Sequence, residues 1–187
     1  EYCSLTMKDN VKITGNETGV SGGGIYADTD STLLMKDCTV SGNKASGSGG
    51  GIHAEGALTV DSCTVIDNKT TGDSGGGVYV SGTAEIKGGS IIAHNEADVS
   101  GGGIYVSNGT LTISNATVGG EQDYDDTDLN KANGNKAVTG GGIYAINSTL
   151  TMTDCMLPHN AAMGSSSVFG GGLFCYNPLP YPSDEEQ

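Results

Sequence analysis

The sequence predicts an all-β chain, a right-handed single-stranded parallel β-helix (a solenoid) of about six rungs of three short strands. Three observations carry this expectation. A glycine triplet followed by an aliphatic residue and usually an aromatic recurs six times: GGGIYA from Gly22, GGGIHA from Gly49, GGGVYV from Gly75, GGGIYV from Gly101, GGGIYA from Gly140 and GGGLFC from Gly170. Between the aliphatic residues Ile25, Ile52, Val78, Ile104, Ile143 and Leu173 the steps are 27, 26, 26, 39 and 30 residues. Between triplets runs a second repeat, an aliphatic triad, a short turn and a strand ending in asparagine, as in LLMKDCTVSGN from Leu33 to Asn43 and LTVDSCTVIDN from Leu58 to Asn68. A fixed period in this range marks one supersecondary unit stacked on copies of itself, each covering the face its neighbour leaves open.

The triad is the first strand of each rung. In LTV or LTM the outer residues are apolar and the middle one is often Thr, the period-2 mark of a strand with one buried face. The second strand repeats the alternation, with Cys38, Cys63, Ser90, Ala116 and Cys155 inward beside Val40, Val65, Ile92, Val118 and Leu157. Next comes an asparagine column, Asn16, Asn43, Asn68, Asn95, Asn135 and Asn160. Stacked in register, each amide can donate to the carbonyl of the next, satisfying polar groups at an inward turn. The glycines serve the turn into the third strand, where positive φ or close backbone approach excludes a Cβ. In that strand Ile25 and Ala27 share the inward side and Tyr26 points out. At about 4.8 Å per rung the six rungs give a rod roughly 29 Å long.

Two segments interrupt the repeat, an insertion loop over 119–134 in the fifth rung and the MGSSSVF stretch before Gly170. Residues 1–187 read as one β-helix domain belonging to a longer protein. The C-terminal stretch 177–187 reads as a cap and acidic tail, since Pro178, Pro180 and Pro182 at alternate positions would remove donors from one strand edge.

Composition narrows the function. With 32 Gly, 2 Phe, no Trp and 35% hydrophobic residues, a thin core repeated lengthwise is easier to build than one thick core. The net charge is −14 and all eight basic residues are Lys, which argues against nucleic acid and anionic lipid as partners. No apolar run is long enough for a membrane-spanning helix, so this segment is not expected to insert. The acidic, Thr- and Asn-rich surface suits an extracellular or cell-surface setting. Oligomeric state is not readable from the sequence.

The pairing of the glycine motif with hydrophobe-x-x-Asn resembles the repeats of the polymorphic outer-membrane proteins of chlamydiae and related adhesin-like β-helix repeats. Their usual motifs, GGA[ILV] and FxxN, correspond here to GGGI from Gly22, Gly49, Gly101 and Gly140, GGGV from Gly75 and GGGL from Gly170, and to VSGN, VIDN, IAHN and LPHN ending at Asn43, Asn68, Asn95 and Asn160. The Phe of FxxN is aliphatic throughout this chain. The resemblance implies a surface-displayed passenger that adheres to a host or neighbouring-cell protein or glycan, with no catalytic residues to carry over.

Candidate sites follow from the columns. Tyr26, His53, Tyr79, Tyr105, Tyr144 and Phe174 are expected to form an outward stripe of rings, either a binding platform or a set of mutually stabilising neighbours. Asp123, Asp125, Asp126 and Asp128 put four carboxylates within six residues, a solvated acidic loop or a calcium site without EF-hand spacing. No other cofactor is expected. Asp28, Asp30 and Glu55 near His53 are the residues a glycosidase pair would use, whereas His94 and His159 are read as surface residues two rungs apart. Cys38, Cys63 and Cys155 are read as buried free thiols acting as small hydrophobes, with Cys3 and Cys175 unplaced. Sequons occur at Asn108, Asn115 and Asn147.

The sequence thus points to a non-catalytic binding domain. The alternatives are a polysaccharide-active lyase or hydrolase, and a structural or ice-binding rod. The ice-binding variant needs a flat Thr array, and the column Thr6, Thr59, Thr112 and Thr151 is broken by Leu34 and Glu85.

Overall fold

Inward-facing aliphatics in every strand leave the chain one way to bury them: wind into a coil and stack the turns. The computed structural model, which describes residues 2–120, 133–164 and 169–177, is a right-handed parallel β-solenoid of about six turns. The residues 121–132 of the insertion, with Asp123, Asp125, Asp126 and Asp128, lie outside the described residues, as do Pro178, Pro180 and Pro182.

Every strand pairs in parallel with its equivalent one rung away. The third strands form one six-stranded sheet: Ile25–Ala27, Ile52–Ala54, Val78–Val80, Ile104–Ser107, Ile143–Ile146 and Leu173–Tyr176. First and second strands belong to a ten-stranded sheet. In the early rungs they are separate, as in Ala57–Asp61 and Thr64–Ile66, and in the last two they merge into Thr110–Val118 and Thr149–Met156. The merged strands still bend where Asn115 and Asp154 take positive φ, the position held by Asp37 and Ser62 in earlier rungs. The register stacks Thr6 on Leu34, Leu34 on Thr59, Thr59 on Glu85, Glu85 on Thr112 and Thr112 on Thr151.

Five rungs also carry a two-residue strand after the asparagine, as in Glu17–Thr18, Lys44–Ala45 and Lys69–Thr70, and after Asn95 an isolated bridge at Glu96 takes its place. Its outward residues pair by charge: Lys44 with Glu17 at 2.9 Å and Lys69 with Glu96 at 2.7 Å. Both pairs are exposed and contribute well under about 1 kcal/mol each.

The core is a set of columns. Leu33, Leu58, Ala84 and Leu111 stack, as do Met35, Val60, Ile86 and Ile113, with Val40, Val65, Ile92 and Val118 behind them and Ile52, Val78, Ile104 and Ile143 opposite; all are buried. Each Leu, Met, Val and Ile of these columns contributes about 1.5–3 kcal/mol by burial.

Close stacking explains the triplets. Taking the third copy, Gly75 has φ +74°, in the left-handed region that favours glycine. A Cβ on Gly76 would strike the carbonyls of Glu96 and Gly102, and one on Gly77 would lie 2.9 Å from Asn95 Cγ. The three glycines of a triplet are therefore required for different reasons.

Two polar ladders hold the corners. Asn43, Asn68, Asn95 and Asn135 are buried, and each amide donates to the side-chain oxygen of the next rung's asparagine at 2.9–3.0 Å. At the first corner the Cys38 backbone N–H donates to Cys63 Sγ at 3.3 Å and the Cys63 N–H to Ser90 Oγ at 3.1 Å. The side chains donate in turn to carbonyls two or three residues back, Cys38 to Lys36, Cys63 to Asp61 and Ser90 to Lys87. All five cysteines are free. Cys38 and Cys63 are buried, but as corner hydrogen-bonding groups rather than as small hydrophobes alone. Cys155 is half-buried, and Cys3 and Cys175 are exposed.

Candidate functional site

The alternation of the third strand sends its middle residue outward, and parallel pairing sets those residues one above another: Tyr26 on His53, His53 on Tyr79, Tyr79 on Tyr105, Tyr105 on Tyr144 and Tyr144 on Phe174. Ring centroids are 4.9, 4.4, 5.4, 5.2 and 5.1 Å apart in that order. The first four pairs lie within 12° of parallel. Aromatic pairs at such spacing contribute about 0.5–1.5 kcal/mol each beyond burial, so the stack supports the rungs as well as presenting a face.

The face is not uniformly open. Tyr26 is 53% exposed, whereas His53 is only 6% exposed. His53 lies between the Tyr26 and Tyr79 rings, its edge closed by the Ser48 carbonyl 3.3 Å from Nδ1 and Glu55 Oε1 3.1 Å from Nε2. His53 thus points out of its strand as expected, but it is covered rather than open, because the flanking turns fold over it. Burial raises the tyrosine pKa above 10.0 at Tyr79, Tyr105 and Tyr144. At Tyr26 the first cause is its hydrogen bond to Glu55.

The candidate acids divide. Glu55 Oε1 accepts from Tyr26 Oη at 2.8 Å and faces His53, so this carboxylate is committed to the ring stack. Asp28 accepts from Ser31 Oγ at 2.6 Å, and Asp30 is exposed. His94 and His159 share a corner position with φ near +55°, and His94 Nδ1 lies 3.5 Å from Asp67. Among the described residues no group of three or more His, Cys, Asp or Glu side chains is placed to hold a metal ion. Asn108 and Asn147 are exposed bend residues and Asn115 is exposed at the bend within Thr110–Val118, all three with positive φ.

Sequence reasoning missed two members of the aromatic face. Phe169 and Tyr176 flank Phe174 at 5.6 and 6.3 Å and are 53% and 47% exposed. Tyr176 extends the third strand by two residues beyond Phe174, the same-side spacing that could have found it; Phe169 lies in an irregular stretch and gave no periodic signal.

Residues 2–88 match the family model described as "Right handed beta helix region". No curated protein and no solved structure is significantly similar to the chain.

Proposed function

We propose that the chain is a non-catalytic, surface-displayed or secreted binding domain acting in adhesion, as the resemblance to the chlamydial polymorphic outer-membrane protein repeats implies. Its partner is a protein or glycan of a host or neighbouring cell. The observation that carries the proposal is the continuous stack of rings from Tyr26 to Phe174, partly open to solvent. Such surface suits recognition because aromatics offer large contact area at low entropic cost. A polysaccharide-active enzyme is favoured less, because Glu55 is bonded to Tyr26 and His53 while Asp28 is bonded to Ser31. An ice-binding rod is favoured less because Leu34 and Glu85 interrupt the threonine column.

The test is a glycan and matrix-protein binding screen, run with and without calcium, on the chain and on the Tyr79→Ser/Tyr105→Ser double variant. Loss of binding by a variant that remains folded, with its melting temperature lowered by no more than the lost stacking explains, supports the proposal. Unchanged binding by a variant that is folded removes this face as the platform.

A further inference from the structure

Four of the chain's ten Phe and Tyr residues meet at the C-terminal end of the aromatic face. Phe174 sits at the centre, with Tyr144 at 5.1 Å, Phe169 at 5.6 Å and Tyr176 at 6.3 Å, the planes inclined by 26–31°. Elsewhere the rings stack flat. Here they fan open around a shallow, open pocket of about 360 Å³, whose wall is completed by Ser100 and Thr139.

The lining has one chemical character. It combines apolar ring surface with four hydroxyls, those of Ser100, Thr139, Tyr144 and Tyr176, and it contains no charged side chain. None of these hydroxyls hydrogen-bonds to another described residue. Ser100 is 8% exposed and lines the pocket.

We infer that this pocket binds a neutral sugar ring, the terminal or exposed unit of a glycan. A pyranose offers an apolar C–H face to stack on a ring and hydroxyls around its rim to meet Ser, Thr and Tyr hydroxyls. The volume falls within the range of small-ligand sites, about 300–1,000 Å³. An anionic sugar would find no cation in the lining and a chain of net charge −14 around it. A cationic ligand would find no carboxylate there. The inference rests on the adhesive role proposed above and narrows it to one end of the face and one ligand class.

The experiment presents neutral and acidic oligosaccharides to the full chain, with saturation-transfer NMR as the readout. It compares Phe169→Ala and Tyr176→Ala with Ile91→Ser, an exposed residue of the ten-stranded sheet off the aromatic face, folding being checked by melting temperature. Both Phe169 and Tyr176 are about half exposed, so their removal leaves the core intact. Neutral oligosaccharides are expected to bind, about tenfold more weakly to either pocket variant and equally well to Ile91→Ser. Neutral-glycan binding that survives both pocket substitutions, binding of acidic sugars alone, or binding of matrix protein alone overturns the pocket and leaves the adhesive role standing. Failure to bind any glycan or matrix protein overturns both.

Discussion

Asn68 donates through Nδ2 to Asn95 Oδ1 at 3.0 Å and to the carbonyl of Val40 at 3.0 Å, so one side chain ties three consecutive rungs together. Its own Oδ1 accepts from the backbone N–H of Asn43 at 3.0 Å and from Asn43 Nδ2 at 2.9 Å. Four hydrogen bonds in a buried corner thus depend on one amide.

Asn68→Ala is therefore expected to destabilise the chain by about 3–5 kcal/mol, because it strands donors on Asn43 and an acceptor on Val40. Asn16→Ala is expected to cost about 1 kcal/mol or less: Asn16 is exposed, and its side chain makes one ladder bond, to Asn43 at 2.9 Å. Urea unfolding of the two variants checks the contrast, and equal midpoints would remove the ladder as a source of stability.

A second pair of variants separates the two uses of glycine. Gly15 has φ +68° with nothing within 4 Å of a Cβ, so Gly15→Ala is expected to cost about 1–2 kcal/mol from backbone conformation alone. Gly76 has ordinary φ, but an added Cβ meets backbone of the next rung, which cannot rotate away. Gly76→Ala is expected to cost more than about 4 kcal/mol or to prevent folding. A Gly76→Ala protein as stable as Gly15→Ala would mean that the rungs at this corner stand further apart.

These two columns, asparagine and glycine, were the legible part of the fold, because a side chain required at every turn repeats at the period of the coil. The strand faces were legible by alternation. The two-residue strand at Lys44–Ala45 was not, since two positions cannot display a period. His53 shows how alternation gives direction without exposure: the residue points out of its strand and is covered by Ser48, Glu55 and its neighbouring rings. The corner thiols looked like small hydrophobes because a cysteine's hydrogen bonding leaves no trace in a hydropathy pattern. Of the candidate site the central rings were legible, whereas Phe169 is brought to Phe174 by folding alone.

Alkaline pH should weaken the fold through the buried thiol. Burial is the largest cause raising the Cys63 pKa from its ordinary 9.0 to about 11. Below about 9 the thiol is neutral in both states and its contribution is complete. Between about 9 and about 11 the unfolded chain has released the proton and the folded chain has not, so stability falls as pH rises. The raised tyrosines, Tyr79, Tyr105 and Tyr144, act with the same sign above 10.0. The urea midpoint is expected to be level from about pH 7 to 8.5 and to drop beyond 9, with Cys63→Ser abolishing the first part of the drop. A level midpoint up to pH 11 in the parent chain would contradict the burial of this group.

Thiol accessibility should follow the same geometry. A disulfide reagent is expected to react quickly with exposed Cys3 and Cys175, more slowly with Cys155, and with Cys38 and Cys63 only on unfolding. Mass spectrometry of partly labelled native protein reads the order directly, and early labelling of Cys63 would show that the corner opens in the folded state.

The corner ladder has a gap that a single substitution can fill. Cys38, Cys63 and Ser90 each place a sulfur or oxygen in the first corner, and Cys155 donates to the Thr153 carbonyl at 3.0 Å, but Ala116 between Ser90 and Cys155 has nothing to donate. Ala116 is buried and paired in register with Cys155. A serine there would reach the Ser114 carbonyl as Cys155 reaches that of Thr153, and Ala116→Ser is expected to stabilise the chain by about 0.5–1 kcal/mol. Ala116→Val adds bulk without a donor and is expected to cost about 1–3 kcal/mol. If the serine variant unfolds at a lower urea concentration than the parent, the thiols and hydroxyl of this column serve packing alone and their hydrogen bonds carry no net stability.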